Sequence, residues 1–104
     1  MSLIPPEHLT ELCAQVLSHY GVPRTDADFV ARSLVESDLR GIHSHGSMRL
    51  GRYAKELDAG LTSPDANIVT IEKGPACASI DGNGALGQLV ARQALSVGIE
   101  KARS

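Results

Sequence analysis

The 104-residue sequence predicts an α+β fold: a three-helix N-terminal segment, a short β-hairpin and a C-terminal helix. Three observations predict it. Before Pro64 the apolar side chains recur at three- and four-residue steps, the period of an amphipathic helix. Beyond Pro64 they gather into short runs rich in β-branched residues, and then the helical period returns. Gly21, Gly41 and Gly60 stand where each of the first three helical stretches stops.

In the first helix, Pro6 to Tyr20, the stripe is Leu9, Leu12, Cys13, Val16, Leu17 and Tyr20. The second follows Pro23, with the Thr25 hydroxyl expected as its cap and Asp28 in its first turn. Ala27, Val30, Ala31, Leu34 and Val35 carry its period, and Arg40 sits where a cation suits the helix dipole. The third is expected to begin between Ser44 and Ser47 and to run to Ala59, with Leu50, Tyr53, Ala54 and Leu57 on one side. Thr62 to Asp65 reads as a turn. Ile68 to Ile71 and Ala76 to Ile80 read as hairpin strands separated by Lys73-Gly74-Pro75, and Leu86 to Ala102 as the last helix. The division is residues 1–62, a helical segment, and residues 63–104, the start of an α/β domain. Two strands make a marginal sheet and no strand follows the last helix, so the chain is expected to be a truncated part of a larger fold.

Hydrophobic residues at 42% and charged residues at 21% are ordinary for a globular chain. Aromatic residues are only 3%, which leaves a thin core of Leu, Val, Ile and Ala. The formal charge of −2, without a Lys/Arg run, argues against a nucleic-acid partner. No stretch has the length and apolarity of a membrane span, and the first residues lack a secretory pattern. Cys13 and Cys77 have no Cys-x-x-Cys spacing, so reduced thiols in a cytosolic protein are expected.

Two stretches have the residue types that chemistry needs. Gly82-Asn83-Gly84-Ala85-Leu86-Gly87 matches a dinucleotide fingerprint between a predicted strand and a predicted helix. The acidic residue expected about 20 residues later, at the end of a second parallel strand, has no place here. A structural turn after Asp81 is the favoured reading, with a small nucleotide-binding unit as the alternative. The other stretch runs from Gly41 to Tyr53. With a helix from Ser44, His45, Arg49 and Tyr53 at i, i+4 and i+8 share a face. Arg49 can fork onto a carboxylate, with Tyr53 as a further donor. His45 can move a proton near neutral pH, and Ser44 can orient its ring. Gly46 allows another chain or a ligand to approach closely. The blander readings are a turn histidine, a solvated arginine and a core tyrosine, with Arg52 a surface charge. His43 and His45 lack a third ligand, so no metal is expected.

The run Asp38-Leu39-Arg40-Gly41-Ile42-His43-Ser44-His45-Gly46, with Arg49 and Tyr53, resembles the signature of the malate/L-lactate dehydrogenase family. Ureidoglycolate, sulfolactate and diketogulonate oxidoreductases belong to the same group. The likeness continues through Leu57-Asp58-Ala59-Gly60-Leu61, Ile80-Asp81-Gly82, Gly84-Ala85-Leu86-Gly87-Gln88 and Ile99-Glu100-Lys101-Ala102. The resemblance implies a cytoplasmic, dimeric enzyme of non-Rossmann fold that moves hydride between NAD or NADP and a small 2-hydroxy or 2-oxo acid. It implies that His45, with Ser44, belongs to the catalytic acid/base machinery and that Arg49 and Tyr53 bind the substrate's carboxylate end. It also implies that most nucleotide contacts lie outside this chain, which by itself is expected to be inactive. The alternative from a different class is a non-catalytic helical fragment that only pairs with another copy or with the rest of its enzyme.

Overall fold

A computed structural model describes residues 3–103. Its elements are α1 (Pro6–His19), α2 (Arg24–Leu39), two 3₁₀ turns (His43–His45 and Ser47–Arg49), α3 (Leu50–Asp58), β1 (Val69–Gly74), β2 (Cys77–Asp81) and α4 (Gly87–Arg103). The α+β order of helices, hairpin and helix is as the sequence predicts. The differences lie in where the elements start.

Pro6 opens α1 with a preset φ, and Glu7 in the first turn complements the dipole. Gly21 stops it in the left-handed region, φ 96°. Thr25 does not cap α2. The helix begins two residues earlier because the Pro23 carbonyl already accepts Ala27 N–H at 2.8 Å, so Thr25 lies inside the first turn. Arg24 there pairs with Glu11 of α1 and with Asp28, tying the two helices at the surface. The third helix starts later than expected, at Leu50, because Gly46 is extended at ψ −153° and splits the preceding segment into two separate turns.

The core forms where α1 and α2 meet. Cys13, Ala14 and Leu17 from α1 pack with Ala27, Val30, Ala31 and Leu34 from α2, around Val22 of the connection. Alanines at the contact let the two backbones approach closely. Leu57 of α3 and Leu86 and Leu89 at the start of α4 close the cluster, so both halves of the chain share it. Cys13 is a core residue, and burial pushes its thiol up, with the Asp38 charge adding to the effect.

β1 and β2 pair antiparallel, with Thr70 opposite Ile80 and Glu72 opposite Ala78. The strand continues through Lys73 and Gly74, so the turn is Pro75-Ala76 and the register shifts between Glu72 and Gly74. Gln93 of α4 donates to Thr70 Oγ1 at 2.9 Å, and Lys101 donates to the Gly74 carbonyl at 2.8 Å, which holds the helix against the hairpin. Arg92 joins α4 to α2 by pairing with Asp26 at 2.9 Å and lying 4.5 Å from the Phe29 ring centre. Only Leu89 of α4 is buried, and its later turns extend beyond the core, giving a body of 52 × 30 × 21 Å.

Leu34 is 1% exposed at the α1–α2 contact. Leu34→Ala is expected to lower unfolding stability by about 2–5 kcal/mol in urea denaturation. A loss under about 1 kcal/mol would contradict the placement of the core there.

Candidate active site

Ser44 and His45 lie in the first 3₁₀ turn, Arg49 ends the second, and Tyr53 sits on α3. The expected single helical face for His45, Arg49 and Tyr53 is therefore corrected. The cause is Asp38, in the last turn of α2. Its Oδ2 accepts the Ser47 backbone N–H at 3.1 Å, and its Oδ1 lies 3.2 Å from His43 Nδ1. These contacts draw the chain out of a helical path, and α-helix resumes only at Leu50.

Gly46 fits between the two turns because the Asp38 carboxylate fills its side-chain space. A Cβ there would stand 1.9 Å from Asp38 Oδ1. The close neighbour that Gly46 admits is thus a side chain of the same protein. Hydrogen bonds from Ser47, through hydroxyl and amide, and from His43 hold the Asp38 carboxyl below the usual carboxylate range.

Ser44 Oγ lies 2.9 Å from His45 Nδ1. When the hydroxyl donates, the neutral ring has its proton on Nε2; when Nδ1–H donates, Nε2 is a free acceptor. Arg49 Nε donates to the Ser44 carbonyl at 2.7 Å, which ties the guanidinium to the backbone beside His45 and leaves both Nη groups for another acceptor. Ser44 and His45 are exposed, and Arg49 is half-buried. Tyr53 packs half-buried against the core, and its hydroxyl accepts a bond from Gln88 Nε2 at 3.0 Å. Ser44, His45 and Arg49 thus form one linked group. Tyr53 instead joins α3 to the first turn of α4. Arg52 forms a surface pair with Glu56 at 2.9 Å.

Asp38 and Gln88 have no role in a reading by motif alone, since each enters only within the family-like runs. For Asp38 a signal was present: an acid in the last turn of a helix opposes the dipole and needs a compensating donor.

In the Gly82–Gly87 turn two features weigh against a nucleotide pyrophosphate. Val90 closes the space beside Gly82, where a Cβ would lie 2.8 Å from Val90 Cγ2. The Asn83 amide is bonded to Asp81 Oδ1 at 3.0 Å, and the Ala85 amide to the Gly82 carbonyl at 3.0 Å. The Asp81 carboxylate thus takes the Asn83 amide, one of the donors an anion in this turn would use. Among the described residues no three His, Cys, Asp or Glu side chains group as a metal site, and no helix is long and apolar enough to cross a membrane.

A model of the malate/L-lactate dehydrogenase family matches residues 4–104. The chain belongs to that family. It is 40% identical over 100 residues to the malate dehydrogenase of Pyrococcus horikoshii, covering 96% of this chain and 28% of that one. The L-sulfolactate dehydrogenase of Methanocaldococcus jannaschii is 37% identical over 102 residues, covering 98% and 30%. The ureidoglycolate dehydrogenase (NAD(+)) of Escherichia coli K12 is 35% identical over 100 residues, covering 96% and 29%. The solved structures of the first two superpose with TM-scores of 0.91 and 0.94, covering 29% and 30% of those chains. The chain therefore spans about three tenths of the length of these family members, corresponding to their N-terminal part.

Two outcomes follow from the Asp38 geometry. Gly46→Ala must displace a carboxylate that is held by hydrogen bonds from Ser47 and His43, and is expected to cost about 1–3 kcal/mol in urea denaturation; unaltered stability would contradict the contact. The folded-state pKa of Asp38 is depressed, so its stabilisation is present above the unfolded value of about 3.9 and is lost as pH falls through the folded value. Asp38→Asn should therefore be less stable than wild type near pH 7, with the gap closing as pH falls from about 5 to about 2. A gap independent of pH would contradict the assignment.

Proposed function

We propose that the chain supplies the acid-binding, proton-handling side of an oxidoreductase that transfers hydride between NAD or NADP and a small 2-hydroxy or 2-oxo acid such as malate or lactate. One observation carries the proposal. The Ser44–His45 pair and the Arg49 guanidinium are joined through the Ser44 carbonyl at 2.7 Å, so a proton carrier and a carboxylate-binding group are kept together. The substrates named for the relatives, malate, sulfolactate and ureidoglycolate, each have a hydroxyl-bearing carbon beside a carboxylate.

The free Nη groups of Arg49 take the carboxylate in a forked contact, and the Tyr53 hydroxyl, already accepting from Gln88, has its own proton to donate. His45 takes the hydroxyl proton at Nε2 as the alcohol is oxidised and returns it in reduction, with Ser44 holding Nδ1. A bound nicotinamide would take the hydride that leaves C2 of the hydroxy acid on oxidation, and would supply it to C2 of the oxo acid on reduction. The Gly82–Gly87 turn is read as a structural corner, and most nucleotide contacts are assigned to the rest of the enzyme. The reading also includes a cytoplasmic homodimer, with no nucleic-acid or membrane partner, as the resemblance implies. A second reading, an interaction fragment without catalysis, draws on exposed apolar side chains at Val69, Ile71, Leu95 and Ile99.

Turnover of the full-length protein with a series of 2-oxo acids and NADH or NADPH is the test. At least one acid should oxidise a cofactor. His45→Gln is expected to lower kcat by about 10²- to 10⁴-fold. Arg49→Ala should lower kcat/KM for the acid by about 10- to 100-fold, the loss of a charge-assisted contact. Cofactor left unoxidised by every acid, combined with self-association of the chain, would favour the fragment reading.

A further inference from the structure

Asp38 occupies a position that helix energetics disfavours, an acid at the C-terminal end of α2. Its side chain is 17% exposed, and among the described residues its only ion-pair partner is the exposed His43. What it does there is structural. Neither 3₁₀ turn that flanks Gly46 contains a buried hydrophobic residue, so the segment carrying Ser44, His45 and Arg49 has no core anchor of its own. Helix α2, by contrast, buries Val30, Ala31, Leu34 and Val35. Among the described residues, the side-chain hydrogen bonds between this helix and the turns are those of Asp38, to the Ser47 amide and hydroxyl and to the His43 ring.

The contact lies at the junction. Asp38 holds Ser47, which opens the second turn, and its carboxylate packs on Gly46, which ends the first. One carboxylate thereby sets the angle between the turn bearing His45 and the turn bearing Arg49. The Arg49 bond to the Ser44 carbonyl spans the same junction.

We infer that Asp38 is a positioning residue of the active site: through Ser47 and Gly46 it fixes His45 and Arg49 relative to each other and to the core. This rests on the dehydrogenase reading given above. Asp38 touches no reacting atom in this scheme, so its effect passes wholly through the two turns. A misplacement on the order of 1 Å at such a distance lowers turnover by about 100-fold.

The experiment compares Asp38→Ala and Asp38→Asn in the full-length enzyme. It measures kcat, KM for the 2-oxo acid, KM for NADH or NADPH, and thermal midpoint, together with hydrogen–deuterium exchange over residues 43–49 by mass spectrometry. Asp38→Ala should lower kcat by about 10- to 100-fold, raise KM for the acid, leave KM for the nucleotide unchanged and speed exchange in that segment. Asp38→Asn keeps an acceptor for the Ser47 amide and should recover most of kcat and of the protection. A kcat for Asp38→Ala within about twofold of wild type overturns the inference, whatever the exchange shows. Loss of nucleotide affinity alongside kcat, or no rescue by Asn, also overturns it, as general damage. If wild type itself turns over no 2-oxo acid, the dehydrogenase reading fails and this inference falls with it.

Discussion

The bond from the Ser47 amide to the Asp38 carboxylate is the constraint on which the arrangement of the chemistry-bearing residues depends. Without it, the segment from His43 to Asp58 has the composition to continue as one helix, and His45, Arg49 and Tyr53 would line up along it. With it, the backbone extends at Gly46 and two tight turns replace the first turns of that helix. The carboxylate is costly where it stands, at the negative end of a helix dipole. Hydrogen bonds from Ser47 and His43 offset that cost and hold it ionised.

The rest of the fold serves as the base for this contact. Helices α1 and α2 pack through small and branched side chains into a core that leaves α2 little freedom, and Asp38 projects from its last turn. The start of α4 joins the same core through Leu86 and Leu89, which brings Gln88 to the Tyr53 hydroxyl. The glycine-rich turn before α4 therefore matters as a close-packed corner, with Val90 against Gly82. Its Asn83 and Ala85 amides are bonded within the turn, to Asp81 and to the Gly82 carbonyl.

Ser44 and His45 lie on an open surface, whereas an apolar groove of about 280 Å³ lies elsewhere, between β2 and α4, among Ala78, Ile80, Ala94 and Val97. Hydride chemistry needs a water-poor enclosure. In the proposed reading the residues here would supply one wall of such an enclosure; the chain spans about three tenths of its relatives' length.

Local sequence determined the order of elements, because side-chain period and glycine stops act within a few residues of each other: α1, α2, the hairpin and α4 all fall where Leu17, Leu34, Ile80 and Leu89 indicate. It also determined the family, since the run from Asp38 to Gly46 with Arg49 and Tyr53 is specific as a whole. Tertiary structure decided how those residues face one another. Helical spacing predicts a common face only if the helix is continuous. Its continuity was broken by a carboxylate nine positions before Ser47, on a different helix, a contact that no local period encodes. The start of α2 at Arg24 and the extension of β1 through Gly74, by contrast, rest on contacts within a few residues, the Pro23 carbonyl with the Ala27 amide in one case and the Gly74–Cys77 pairing across the Pro75-Ala76 turn in the other.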